Sequence, residues 1–210
     1  MSPRRGRNKR GIHIGIHPTL SPRCTITTIN EISVIVNIAP EPHVTACRAL
    51  PQTNLLFIYV PPKMNRLSLQ RISDLIRTLC SQNLTTIILG DLNGRIAVQQ
   101  QVPPFQITNG KLYKRRTSVD NVTNQQGQLV LNMCQENKLL ILNGRTEGDP
   151  TGAATYIAAQ GTTVLDLVLA NELSKPYLTN FEIRLDPSSD HMPCMTTLLD
   201  TSNFQQPRLN

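Results

Sequence analysis

Residues 85–94 read TTIILGDLNG, and no other stretch narrows the fold as far. A continuous apolar run closed by a glycine predicts a strand buried on both faces. Its polar end, Asp91 and Asn93, then enters the region beyond the strand terminus where α/β folds place their chemistry. Two residues apart on extended backbone, the carboxylate and the carboxamide point the same way and can hold one water between an acceptor and a donor. GDLNG is also an ordinary turn signal, so the stretch alone predicts a strand end and leaves its chemistry open.

The rest of the chain reads as an α/β pattern around this strand. Strands are predicted over 11–17, where Ile12, Ile14 and Ile16 alternate with His13, Gly15 and His17, over 25–38 with a break at Asn30, and over 54–60. The proline-rich segment 39–53 is a loop. Pro61 and Pro62 end the third strand just after Tyr59 and turn the chain out of the sheet. Ile72, Leu75, Ile76 and Leu79 recur at helical spacing, so 66–82 is an amphipathic helix, and the unit 54–91 is strand, helix, strand. A second helix is expected over 125–137, with Leu129, Val130, Met133 and Cys134 inward, followed by the strand LLILN. Asn143, Arg145 and Asp149 in NGRTEGDPTG are read as turn residues rather than nucleic-acid contacts. Residues 153–158 and 163–169 form a hairpin around Gln160-Gly161, and 188–199 is a polar turn feeding a last strand, with Pro193 at its start. The whole makes one domain over 11–200, between a basic arm at 1–10 and a frayed tail at 201–210.

Charge matters here through its distribution. The net charge of +7 suggests an anionic partner, but Arg4, Arg5, Arg7, Lys9, Arg10 and Arg23 all precede the first acidic residue, Glu31; without them 15 basic residues face 14 acidic ones. Lys111, Lys114, Arg115 and Arg116 form a second, smaller cluster in a polar loop. Five scattered cysteines with no metal-type pairing read as reduced intracellular thiols. No apolar run is long enough for a membrane span, and no secretory segment follows the basic start. The expectation is a soluble intracellular protein, nuclear rather than cytoplasmic because of the arm, and without a membrane partner.

Tyr59 in FIYVPP, Asp91 and Asn93 in GDLNG, Asp166 in TVLDLVLAN and Ser189-Asp190-His191 in DPSSDHMPC occur in an order that resembles the endonuclease/exonuclease/phosphatase superfamily. The likeness is greatest to the endonuclease domain of non-LTR retrotransposons, itself related to apurinic endonucleases, and extends over about residues 9–199. It implies an α/β fold: a four-layer sandwich of two mixed β-sheets flanked by helices. It also implies metal-dependent hydrolysis of DNA phosphodiester bonds. In that scheme Asp91 orients and activates the water, Asn93 positions the water or the phosphate, and His191 and Tyr59 bind phosphate oxygens. Asp166 orients His191 and keeps it cationic, and Asp190 is a metal ligand. Mg²⁺ is the expected ion, with Mn²⁺ as the alternative, because hard oxygen ligands and retained waters suit it.

The pattern departs from the family at the front. Family members open with a strand ending in asparagine and a second carrying the glutamate that is the principal metal ligand. Glu31 and Glu41, the first glutamates here, lie past the matched strand at 11–17. The expectation is therefore an N-terminally incomplete domain with impaired nicking, completed by another chain or a reverse-transcriptase region if completed at all. Two other readings stay open: a catalytically silent nucleic-acid-binding or assembly remnant, and a phosphoesterase acting on a small phosphate ester.

Overall fold

A computed structural model describes residues 12–40, 50–62, 64, 66–101 and 112–198. Its strands are β1 (Cys24–Asn30), β2 (Ser33–Ile38), β3 (Thr53–Tyr59), β4 (Thr85–Asp91), β5 (Leu140–Ile141), β6 (Tyr156–Ala158), β7 (Gly161–Thr163), β8 (Asp166–Ala170), β9 (Leu178–Ile183) and β10 (Cys194–Leu198). Its α-helices are α1 (Arg66–Ser81) and α2 (Gln125–Glu136). The expected α/β sandwich forms. A six-stranded mixed sheet runs in the order β1-β2-β3-β4-β8-β5, a smaller sheet pairs β10 with β9, and β6 and β7 make a separate hairpin. Among the described strands only β3 and β4 are parallel, joined through α1 as the strand-helix-strand pattern requires.

The period of two along each strand sorts the core into two layers. Leu56, Ile58, Ile88, Ile141, Leu167 and Leu169 face Ile72, Ile76 and Leu79 of α1 and Val130, Met133 and Cys134 of α2. Ile87, Leu140, Val168 and Ala170, one residue out of phase, face Leu178 and Phe181 of β9. The central strands read as unbroken apolar runs because both of their faces are covered. Gly90 is obligatory in β4: its φ is +149°, and a Cβ there would lie 1.8 Å from the Ile58 carbonyl oxygen of β3.

Several local expectations change. Residues 12–17 keep their alternation, with Ile12, Ile14 and Ile16 half-buried, but form no ladder, so the predicted strand there is an extended segment. The single strand expected over 163–169 is two: β7 ends at Thr163, the chain crosses at Val164 and Leu165, and β8 joins the large sheet. LLILN contributes only two paired residues, although its leucines and isoleucine are buried. Leu129 faces outward at 40% exposure, unlike its helix neighbours Val130, Met133 and Cys134. β9 and the 3-10 helix Glu172–Tyr177 occupy a stretch for which no element is predicted, although Phe181 and Ile183 alternate with polar residues. The arm at 1–10, most of the loop 39–53, Lys111 and the tail at 201–210 lie outside the described residues. Among the described residues no helix is long and apolar enough to cross a membrane.

Candidate active site

Strand register builds the site. Tyr59 is the Cα partner of Asp91 across β3 and β4, and Asp91 is the partner of Asp166 across β4 and β8. Residues in register share a face, so three polar side chains stand in one row at the end of the sheet. Their phase matches that of Ile87 and Val168, which turns them toward the β9–β10 layer. His191 arrives from the turn before β10. Its Nδ1 lies 2.9 Å from Oδ2 and 3.1 Å from Oδ1 of Asp166. Ligand atoms of Asp91, Asp166 and His191 all lie within 4.8 Å of one another.

Asp91 is held by its own loop. The Asn93 backbone N–H donates to Oδ1 at 2.9 Å, and the Asn93 Nδ2 donates to Oδ2 at 2.9 Å. That Nδ2 also donates to the Val60 carbonyl at 3.0 Å, so both of its hydrogens are committed and only the Asn93 Oδ1 is left to face a ligand. Asn93 adopts a left-handed φ of 47°, which asparagine tolerates better than most residues. The loop is tied to α2: Asn124, its N-cap, accepts from Gly127 N at 2.7 Å and from Arg95 N at 3.1 Å. Gly127 allows that approach, since a Cβ there would fall 1.8 Å from the Arg95 carbonyl oxygen.

Electrostatics separates the two carboxylates. Burial chiefly, with the charge of Asp166 adding, pushes the Asp91 carboxyl up to about 6, against the pull of the Asn93 hydrogen bonds and of His191. Partial burial works against the His191 imidazolium. The Asp166 hydrogen bond and the charges of Asp166, Asp91 and Asp190 outweigh it, and its pKa lies above the ordinary histidine value. The row therefore sets a carboxyl of raised pKa beside an imidazole whose protonated form is favoured and whose Nε2 is free of Asp166.

Thr155 and Tyr156, which have no predicted role, and Asn143, read as a turn residue, hold this arrangement. The buried Thr155 Oγ1 accepts from Leu165 N and Asp166 N, both at 2.9 Å, and its carbonyl accepts from Met192 N at 2.8 Å. Tyr156 bridges His191 in the backbone and stacks edge-on against the imidazole, with centroids 4.9 Å apart. The fully buried Asn143 donates to the Asp166 carbonyl at 3.0 Å and accepts from Val168 N at 3.0 Å, so it braces β8 as well as serving the turn. A threonine or tyrosine on a short hairpin carries no sequence signal of such a role; its partners are ten or more residues away.

The other candidates are placed differently. Asp190 is exposed and stands outside the close group, its carbonyl accepting from Ile157 N at 2.8 Å. Arg145 is fully buried and donates to the carbonyls of Tyr113, Lys114 and Gln100, and Asp149 accepts from Gly144 N and Ala153 N. Both are structural, as the turn reading requires. In the second basic cluster Lys114 and Arg115 are exposed, but Arg116 is buried with its guanidinium on the Ala97 carbonyl and cannot reach a ligand. Burial pushes Arg116 and Arg145 down to about 10, which leaves both cationic at neutral pH.

Known structures with this architecture point one way. Similar ones include the endonuclease domain of TRAS1, a telomere-specific non-LTR retrotransposon (18% identity, TM-score 0.55, covering 84% of this chain and 68% of that one). Others are the 3'-5' exonuclease NExo from Neisseria meningitidis (13% identity, TM-score 0.53, 89% and 70%) and the AP endonuclease LMAP from Leishmania major (13% identity, TM-score 0.52, 80% and 55%). Likeness at such identities establishes the fold. No curated protein matches the sequence. The profile of the endonuclease-reverse transcriptase family matches residues 53–195, from the start of β3 into β10, and so takes in the whole row and His191. By that match, over about two thirds of its length, the chain belongs to the endonuclease-reverse transcriptase family, within the endonuclease/exonuclease/phosphatase superfamily.

Proposed function

We propose that this chain is a DNA-directed endonuclease domain whose reaction is hydrolysis of a phosphodiester bond, giving a nick. The observation that carries the reading is the group of Asp91, Asp166 and His191, with a carboxyl raised to about 6 beside an Asp166-held imidazolium. Hydrolysis needs a water aligned with the leaving oxygen and relieved of a proton, and donors for the charge that builds on the phosphate. Asp91 takes the proton, and a carboxyl titrating near 6 is a better acceptor at neutral pH than an ordinary aspartate. Asn93, its amide hydrogens spent, accepts from the same water through Oδ1 and so orients it rather than the phosphate. His191 donates from Nε2 to a phosphate oxygen, with Asp166 fixing ring and charge. Tyr59, in the same row, binds the phosphate from the β3 side.

A divalent cation fits this donor set. Asp91 is buried beside a second carboxylate, so nearby positive charge would favour its ionised form, and hard carboxylate oxygens suit Mg²⁺ or Mn²⁺. Asp190 would hold the ion at the exposed rim, with Asp91 nearby. When bound, the ion would neutralise charge on the phosphate and the leaving oxygen. The TRAS1 domain is an endonuclease of a retrotransposon, and a NExo structure is described as bound to product DNA hairpin. Those likenesses favour DNA over a small phosphate ester. The basic arm would add sequence-independent, salt-sensitive attraction to DNA and favours a nuclear setting. A reverse-transcriptase region or another chain completing the sheet belongs to the same reading.

Supercoiled plasmid incubated with the purified chain in Mg²⁺ or Mn²⁺ tests it. Weak nicking, impaired by the lack of the family's metal-binding glutamate, that disappears in Asp91→Asn and His191→Ala is the expected result. DNA binding without nicking in either metal points instead to the silent binding remnant, and turnover of a soluble phosphate ester without nicking to the phosphoesterase.

A further inference from the structure

Among the described residues, the large sheet ends in a strand that has nothing beside it. Of the described strands β1 pairs with β2 alone, and its residues are exposed from Thr25 to Asn30, with Ile26 at 52%. Which of its backbone groups face outward follows from one hydrogen bond. Ala39 N donates to the Arg23 carbonyl at 2.8 Å, one step before the register Cys24↔Ile38. In an antiparallel pair the hydrogen-bonded residues alternate. Arg23, Thr25 and Thr27 therefore turn to β2, Ile26 and Thr28 present N–H and C=O to the outside, and Cys24 presents its C=O, its N–H donating to the Ser21 carbonyl. The ladder is regular up to Thr28 and shifts between Thr28 and Asn30.

Edge strands are ordinarily blunted by lysine, proline, inward charge or brevity. CTITTIN has no charge and no proline, and it is seven residues long, whereas the opposite edge, β5, has two. We propose that β1 is a self-association edge, and that its occupant is β1 of a second copy, paired antiparallel about a twofold axis through Ile26. Three observations favour a second copy in that orientation. The regular segment 24–28 is centred on Ile26, so the outward residues pair as Ile26 with Ile26 and Cys24 with Thr28 on either side. The Ile26 pair exchanges both backbone bonds, and each Cys24–Thr28 pair makes one, from the Thr28 N–H to the Cys24 carbonyl. The exposed Ile26 side chains meet on one face, and Thr25 meets Thr27 on the other. The strand runs from Arg23 to the neighbouring Glu31, so antiparallel pairing brings opposite charges together at each end, and parallel pairing would set like against like. In a chain of net charge +7, an uncharged strand with complementary ends is where two copies can approach. A twofold contact of this kind closes on itself and gives a dimer rather than a fibre. The dimer is independent of the proposed chemistry, since Tyr59, Asp91 and Asp166 lie on β3, β4 and β8.

The full chain is studied by sedimentation equilibrium and by amide hydrogen exchange over a range of concentrations. The expected result is a mass rising toward twice that of the monomer, with the Ile26 and Thr28 amides gaining protection as it does. Ile26→Lys sets like charges directly opposite each other at the axis, and it should weaken association by at least about tenfold. Thr28→Pro removes an outward N–H and leaves the β1–β2 ladder intact, and should do the same while circular dichroism is unchanged. A chain that stays monomeric at the highest concentration overturns the proposal. So does a dimer that survives both substitutions, or one that protects amides elsewhere and leaves those of Ile26 and Thr28 open.

Discussion

Replacing Asp91 with asparagine separates the electrostatics of the site from its chemistry. Burial is the main reason the Asp91 carboxyl moves from 3.8 to about 6, and the charge of Asp166 adds to it. A change of that size corresponds to about 3 kcal/mol of destabilisation once the group ionises. The side chain keeps some access to water, and screening reduces the figure to about 1–2 kcal/mol. The sign follows from proton binding. The folded chain holds this proton to higher pH than the unfolded chain, so stability falls as pH rises from about 4 to about 6 and stays low above that. Asparagine cannot ionise and lacks this loss. Urea denaturation of both proteins with a chelator present, at steps from pH 4 to pH 7.5, should show the difference moving toward the variant by about 1–2 kcal/mol, or about 3–6 °C in melting temperature. The Asn93 amide, which donates to Oδ2, meets another amide in the variant; that cost does not depend on pH and drops out of the comparison. A difference that is constant across the range, or that moves toward the wild type, refutes the reasoning. The same variant should lose nicking, the trade expected when a site keeps an unfavourable charge for its chemistry.

Nicking should follow a bell-shaped pH profile, rising through about 6 as Asp91 ionises and falling above the ordinary histidine range as His191 loses its proton; Asp166→Asn should draw the alkaline limb toward lower pH. Asp190→Ala should abolish Mg²⁺ binding measured by isothermal titration while leaving the urea midpoint within experimental error, because the side chain is exposed; unchanged binding would move the ion elsewhere. Thr155→Val, which strands Leu165 N and Asp166 N without an acceptor, should cost about 2–4 kcal/mol, and Thr155→Ser should restore most of it. Gly90→Ala should cost at least about 3 kcal/mol, since both the φ and the contact with the Ile58 carbonyl oppose a side chain; a cost under about 1 kcal/mol in urea denaturation would count against the close approach of β3 and β4.

What sequence by itself determined was local. The unbroken apolar run of β4 announces a strand covered on both faces, the spacing of Ile72, Ile76 and Leu79 announces α1, and the prolines after Tyr59 mark where β3 leaves the sheet. Each of these is legible because the signal and its cause lie within one turn or one strand of each other. The candidate residues could be listed by their order along the chain, but their arrangement could not. Tyr59, Asp91 and Asp166 stand in one row only because β3, β4 and β8 pair in one register, and pairing between segments tens of residues apart leaves no local mark. The alternation in 12–17 looks like a ladder strand and has no ladder, since alternation reports which side is covered and not whether a neighbour exists. Arg116 reads as a loop cation and Arg145 as a turn residue, yet both are buried on backbone carbonyls, because only the packed loops supply enough acceptors to take a guanidinium out of water. Tertiary structure likewise decided the proton affinities: a carboxyl raised to about 6 beside an imidazole raised above its ordinary value comes from how much water each side chain keeps and which charges lie within a few ångströms, and both are properties of the assembled site.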